Sequence, residues 1–242
     1  SFDNVPGNFF KGYKFGSSNT NVTNSVRAAV VVKHPFVTAE GGMFPGGGNQ
    51  VTSLLRWRGV ERERLFREAD LFLCEPGLGE DFFPKVSAPL VGLYRESRDW
   101  GVLSGLGVMS SVEEEGFCLY VPSVPRYFLC ALESPVARSS QRTLKFRTAG
   151  ERDRAYLLLN SSLAYWWWRV RDGGMTLSLT TLLSVPVPAG FVVDSVLIRE
   201  LELSEKMNRV YKRNAGAVQE NVKHPLGLVA QVNRVVVPEW AD

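Results

Sequence analysis

The stretch TAGERDRAYLLLNSSLAYWWWRVRDGG, residues 148–174, decides the fold. Thr148 and Glu151 stand at capping-box spacing: the threonine hydroxyl accepts from a free N–H of the first helical turn, and the glutamate reaches back to the threonine N–H. The spacing predicts a helix from Gly150 to Val170, closed by Arg171-Asp172-Gly173-Gly174. Leu159, Leu163, Trp166 or Trp167, and Val170 recur at helical period, which predicts a core helix. The three adjacent tryptophans, Trp166, Trp167 and Trp168, also suit a platform for stacking unpaired bases. Consecutive helical residues are turned by about 100°, so at most two of them share a face, and the core reading is preferred.

Downstream, a short helix is expected near Thr176 to Leu183, then the extended Val185-Pro186-Val187-Pro188. Asp194 caps a further helix reaching Asn214, and Val229 to Val237 reads as a strand. Upstream, short apolar runs alternate with turns, giving strands at Gly116 to Val121, Arg126 to Leu132 and Thr143 to Arg147. Residues 76–89 and the glycine-rich 41–48 read as loops. Ser53 to Phe72 reads as a charged surface helix interrupted near Gly59, and Val26 to Val32 as a buried strand.

The chain has 242 residues, 45% apolar and 22% charged, so it can bury a core as one large domain or two small ones. Its net charge of +3 makes any nucleic-acid site a local one. Three cysteines without C-x-x-C spacing, Cys74, Cys118 and Cys130, suggest a reduced, cytoplasmic protein. The first residues lack the basic flank and apolar run of a signal peptide. The longest uncharged stretch, Gly173 to Val193, carries Pro186 and Pro188 and several hydroxyl residues, so no membrane span is expected.

Catalytic signatures are scarce. His34 and His224 each precede a proline and have no Cys, His or carboxylate at ligand spacing, so both are expected in surface or loop positions and no metal is assigned. Ser104 lacks the upstream glycine of a nucleophile elbow. Gly46-Gly47-Gly48 lacks the Lys-Ser/Thr of a P-loop, and Gly77-Leu78-Gly79 lacks the third glycine of a dinucleotide fingerprint. Glu113-Glu114-Glu115 is expected to be solvated.

Basic residues do cluster. Arg56, Arg58, Arg62, Arg64 and Arg67 surround Trp57, but Glu61, Glu63, Glu68 and Asp70 are close enough to pair with them, which favours a salt-bridged face over a DNA contact. Arg138, Arg142, Lys145, Arg147, Arg152, Arg154, Arg169 and Arg171 face only Glu151, Asp153 and Asp172 over the same span, a surplus suited to phosphate binding.

The segments Leu157-Leu158-Leu159-Asn160-Ser161-Ser162-Leu163-Ala164-Tyr165-Trp166-Trp167-Trp168, Arg171-Asp172-Gly173-Gly174 and Leu182-Leu183-Ser184-Val185-Pro186-Val187-Pro188 together resemble a known pattern. It is the target-recognition region of adenine-specific (N6) DNA methyltransferases of the type II, type IIG-like restriction-modification kind, which include methylase–endonuclease fusions. Phe2-Asp3 with Pro6-Gly7-Asn8-Phe9-Phe10 and Gly12 looks like the segment after that family's N-P-P-Y region, and Arg56-Trp57, Glu61-Arg62 and Leu65-Phe66 are similar to its R-W…E-R-x-x-L-F element. Arg126-Tyr127-Phe128-Leu129 and Leu144-Lys145-Phe146 fall where the family has strands. The resemblance spans roughly residues 1–190.

It implies an α+β chain: residues 1–75 as the C-terminal segment of a methyltransferase catalytic domain, the tail of its Rossmann-like sheet; 76–190 as a mixed α/β target-recognition domain; and 191–242 as a helical C-terminal tail. Arg138, Arg142, Lys145, Arg147, Arg169 and Arg171 are then the expected contacts to double-stranded DNA. The sequence contains neither the family's N-P-P-Y-type motif nor its F-x-G-x-G loop, and Phe44-Pro45-Gly46-Gly47-Gly48 departs from the latter. S-adenosylmethionine and catalysis are therefore expected in a separate catalytic part, with no catalytic or cofactor-binding residue on this chain. The alternative is a non-enzymatic protein-interaction module of the same fold.

Overall fold

A computed structural model of the chain describes residues 12–15, 25–29, 31–33, 49–51, 55–58, 86, 90–109, 116–125, 129–138, 140–171, 176–214 and 216–238. Two compact units are present, residues 1–95 with 169–174, and residues 96–168 with 175–242. The chain is mixed α and β, with small antiparallel sheets.

In the first unit, strands β1 (Gly12–Phe15), β2 (Ser25–Ala29) and β5 (Leu55–Arg58) form one antiparallel sheet in the order β1-β2-β5. β3 (Val31–Lys33) pairs with β4 (Asn49–Val51). The stretch from Val26 to Val32, expected as one strand, falls on β2 and β3, which belong to different sheets. Part of the expected helix from Ser53 to Phe72 is corrected: Leu55–Arg58 is a strand, paired from Ser25↔Arg58 to Ala28↔Leu55. Leu-Arg-Trp-Arg alternates apolar and charged, so it satisfies a period of two, and β2 supplies the partner a strand needs. Residues 59–72, the loop at 41–48, Glu113-Glu114-Glu115 and, Val86 apart, the loop at 76–89 lie outside the described residues.

Helix α1 (Val91–Ser97) leads into the second unit, where β6 (Gly101–Val102) pairs with β9 (Pro186–Val187). A ribbon of β7 (Phe117–Pro122) and β8 (Gln141–Phe146) pairs from Phe117↔Phe146 to Pro122↔Gln141. Leu119, Val121, Leu144 and Phe146 are buried, and helix α2 (Ala149–Asn160) packs against both strands. Its capping box forms as its sequence requires: Thr148 Oγ1 accepts from the Glu151 N–H at 3.2 Å, and the Thr148 N–H donates to Glu151 Oε2 at 2.9 Å. All six residues from Ala155 to Asn160 are buried, so the end of α2 is surrounded by protein.

The single helix expected from Gly150 to Val170 is two helices, α2 and α3 (Ser162–Arg171). Ser161 between them is extended, with φ −82° and ψ 161°, and its hydroxyl donates to Leu158 O at 2.6 Å. The joint is stabilised from far along the chain. Asn160 Oδ1 accepts from the Ala131 N–H at 3.1 Å while Nδ2 donates to Ala131 O at 3.0 Å. Asn233 Oδ1 accepts from the Ser162 N–H at 2.8 Å, and Nδ2 donates to Ser162 Oγ at 2.9 Å. Side-chain amides here replace the backbone bonds that one continuous helix would have made.

The same pairing corrects the expected strand at Arg126 to Leu132. Residues 126–128 lie outside the described residues, and Ala131 gives both backbone groups to Asn160, so no ladder can run through it. Among the described residues of this segment, Leu132 bridges to the ribbon, exchanging hydrogen bonds with Tyr120 at 2.8 and 2.9 Å.

Helix α4 (Leu179–Leu183) begins after the Ser178 cap. Helix α5 (Ser195–Met207) starts where expected, Asp194 Oδ1 accepting from the N–H groups of Val196 and Leu197 at 2.7 and 3.3 Å. It stops seven residues short of the expected Asn214. Arg209–Asn214 (β10) and Ala217–Val222 (β11) instead form an antiparallel hairpin, turned at Gly216, whose φ of 83° suits glycine. The expected strand at Val229 to Val237 is also corrected: Leu226–Val236 is helix α6. Leu228, Val232 and Val236 are buried four residues apart, and α6 packs on α2 and α5, so tertiary packing overrides the β-branched composition.

Replacing Asn160 by Ala leaves the Ala131 N–H and C=O unpaired in the core and is expected to cost about 2–4 kcal/mol. Asn233→Ala removes a cap and is expected to cost about 1 kcal/mol. Denaturant titrations check both; equal midpoints for Asn160→Ala and the unmodified chain would contradict this account of the joint.

Candidate nucleic-acid interface

The expected DNA contacts within the second unit do not share one face. Arg138 is half-buried and ties three segments together, its Nη1 donating to Asn221 Oδ1 at 2.7 Å and its Nη2 to Ser140 Oγ at 3.0 Å and to Val124 O at 3.4 Å. Arg142 and Lys145 lie on opposite faces of β8, because strand side chains alternate. Arg142, opposite Val121, shares a face with the buried Leu144 and Phe146, whereas Lys145 stands opposite Cys118. Arg147 is exposed just beyond β8, at the same parity as Lys145. Arg169 and Arg171 belong to the first unit, in the last turn of α3, where a spacing of two turns them about 200° apart.

Arg138 instead meets two cations that the sequence reading missed. A cavity of about 280 Å³ is lined by Arg138 together with Lys212 and Arg213 of β10 and Gln219 and Asn221 of β11. Cys130, Leu132, Val136 and Val222 give it an apolar wall. Both fall within the helix expected to reach Asn214. The available signal was local charge: from Lys206 to Lys223 five cations stand against one carboxylate, Glu220.

That carboxylate fixes the hairpin. Glu220 Oε2 accepts from the Ala137 N–H at 3.0 Å, and Oε1 accepts from Arg209 Nη1 at 2.5 Å and from the Tyr211 hydroxyl at 3.3 Å. The Ala137 N–H and then the Arg209 guanidinium hold the Glu220 carboxyl below the usual carboxylate range, and Glu220 in turn raises Arg209. The Glu220 N–H donates to Ala137 O at 3.1 Å, so β11 is held to the 133–138 segment by backbone and side chain together.

A second cluster lies deeper. Glu205 is only 5% exposed, and its Oε1 accepts from the Tyr156 hydroxyl and from the Glu133 N–H at 2.9 Å. Burial pushes the Glu205 carboxyl up to about 7. Burial, then Glu205, raises the Tyr156 hydroxyl and the Cys130 thiol, so Cys130 is a poor nucleophile. His224, expected at the surface, is buried, and burial lowers it to about 4. Its Nδ1 lies 2.8 Å from Ser204 Oγ, but Nε2 is buried with no hydrogen-bond partner among the described residues. Without a carboxylate on Nε2, and with Ser204 5% exposed, the Ser-His pair lacks the geometry of a hydrolase. His34 lies outside the described residues.

Trp167 and Trp168 are buried, and Trp167 Nε1 donates to Ser184 Oγ at 3.0 Å, so these two indoles build core and Trp166 alone is half-exposed. Among the described residues no group of three or more His, Cys, Asp or Glu side chains could hold a metal ion, and no helix is long and apolar enough to cross a membrane. Comparison with protein-family models, curated proteins and solved structures returns no match.

The two buried titrations oppose each other. Glu205, raised from 4.5 to about 7, contributes stability that is complete below pH 4.5 and lost as pH rises through 7. His224, lowered from 6.5 to about 4, contributes stability present above pH 6.5 and lost as pH falls through 4. Denaturation midpoints measured from pH 4.5 to 8 should fall relative to those of Glu205→Gln by an amount worth roughly 2–3 kcal/mol. Parallel curves for the two proteins would contradict the assignment.

Proposed function

We propose that this chain is the DNA-binding, target-recognition portion of a site-specific N6-adenine DNA methyltransferase of the restriction-modification kind. The observation that carries the reading is the convergence of Arg138, Lys212 and Arg213, from segments more than 70 residues apart, on one cavity of a chain whose net charge is only +3. A local cationic surface on a nearly neutral chain suits a phosphate backbone, whose neutralisation releases counterions. The resemblance of Leu157 to Trp168 and of the segments around it supplies the enzyme class.

On this reading residues 1–75 complete a Rossmann-like catalytic sheet, and antiparallel strands such as β1, β2 and β5 are compatible with its edge. Residues 76–190 recognise the target, and 191–242 support them. S-adenosylmethionine supplies the methyl group in the complete enzyme. The sequence holds neither of the motifs that would bind the cofactor or the extruded adenine, so no residue of this chain is assigned to them. Lys145 and Arg147, on one side of the β7–β8 ribbon, contact the DNA backbone.

A protein-interaction module is the second reading. It is favoured by Val196, Leu203 and Met207 of α5, which are 52%, 56% and 73% exposed at helical spacing. On the first reading the same stripe is a surface for the catalytic part.

Equilibrium binding of the whole chain to labelled duplexes across a salt series separates the two. The unmodified chain should bind with affinity that falls steeply with salt, and Lys145→Glu with Arg147→Glu should weaken binding about tenfold or more and reduce the salt slope by about two. Salt-independent or absent binding by the unmodified chain would overturn the function. Unchanged affinity in a folded double variant would remove these two residues from the interface.

A further inference from the structure

The hairpin of β10 and β11 lies outside the 76–190 segment that the resemblance assigns to target recognition. It is six residues long on each side, about 20 Å at strand rise, and a two-stranded ribbon of this kind fits the major groove of B-DNA. Residues 206–223 carry a surplus of four positive charges, more than the net charge of the entire chain. Tyr211 is 65% and Val218 56% exposed, and Lys212 and Arg213 are exposed as well. The only carboxylate of the hairpin, Glu220, is buried and paired with Arg209, so it does not oppose a phosphate at the tip.

Register divides the hairpin by face. Tyr211 stands opposite Glu220 and Arg213 opposite Val218 on one face, while Lys212 stands opposite Gln219 on the other. The base of the hairpin is held rigid by the Glu220 bonds to Ala137 and by the Arg138 bond to Asn221. A rigid base with an exposed, cationic tip is the arrangement that a groove-reading element needs.

We propose that the β10–β11 hairpin enters the major groove of duplex DNA, with Arg213 forked onto guanine O6 and N7, the Val218 methyl groups against a neighbouring thymine methyl, and Lys212 on the flanking phosphates. The proposal rests on the DNA-binding reading above. It moves sequence readout from the 76–190 region into the C-terminal segment and leaves Lys145 and Arg147 as backbone contacts.

The test compares the whole unmodified chain, Lys212→Ala and Arg213→Ala in equilibrium binding to a pool of random duplexes across a salt series, followed by sequencing of the bound fraction. All three should melt alike, since neither residue is in the core. Lys212→Ala should weaken binding to every duplex equally and reduce the salt slope by about one, whereas Arg213→Ala should erase the preference for one G·C pair and weaken the preferred duplex about tenfold. Salt-dependent binding by the unmodified chain with no change in either variant would overturn the hairpin assignment and leave the DNA-binding reading standing. No salt-dependent binding by the unmodified chain would overturn both.

Discussion

One asparagine amide organises the second unit. Asn160, 3% exposed, closes a two-point hydrogen bond with the backbone of Ala131 and donates a third bond to Tyr156 O within its own helix. An amide side chain in this position mimics a strand partner, satisfying a backbone that would otherwise be buried unpaired. The consequences spread outward. Ala131 is held against the end of α2, Leu132 is positioned to bridge Tyr120 of the ribbon, and Cys130 and Leu132 wall the cavity. Asn160, Ser161 and Ser162 therefore act together: the first pins a distant loop, the second breaks the helix, and the third receives Asn233 of α6.

The electrostatics follow from that frame. The 133–138 segment emerges beside the pinned loop and meets three acidic or amide groups: Glu205 on Glu133, Glu220 on Ala137, and Asn221 on Arg138. Carboxylates are thereby engaged by the backbone N–H groups of Glu133 and Ala137 and by Arg209, while Lys212 and Arg213 remain on the exposed hairpin. Local positive charge at the hairpin tip thus results from where the acids are used as much as from where the bases are placed.

Local signals were legible in the sequence. The Thr148–Glu151 capping box and the Asp194 cap form as read, because each is complete within a few residues. The β7–β8 ribbon and the β6–β9 pairing of Pro186–Val187 also fall where alternation or prolines placed extended chain. What failed had partners far away. The break at Ser161 depends on Asn233, 71 residues on, and the loss of the 126–132 strand depends on Asn160. At the C-terminal end the missed signal was local: the stretch read as a strand belongs to a helix that buries Leu228, Val232 and Val236, a four-residue spacing already present in the sequence. The site was least legible: Arg138 meets Asn221 across 83 residues, and strand alternation separates Arg142 from Lys145, which counting of charge cannot reveal.

The proposed class of activity comes from sequence resemblance, and the fold supplies a cationic hairpin held at its base; the claim that joins them is recognition of a duplex. The most direct measurement is selection from a randomised duplex library with the whole chain, repeated at several salt concentrations. The account predicts enrichment of one short motif, bound with an affinity that falls as salt rises. A bound pool that stays random, or no bound pool at any salt, would contradict it.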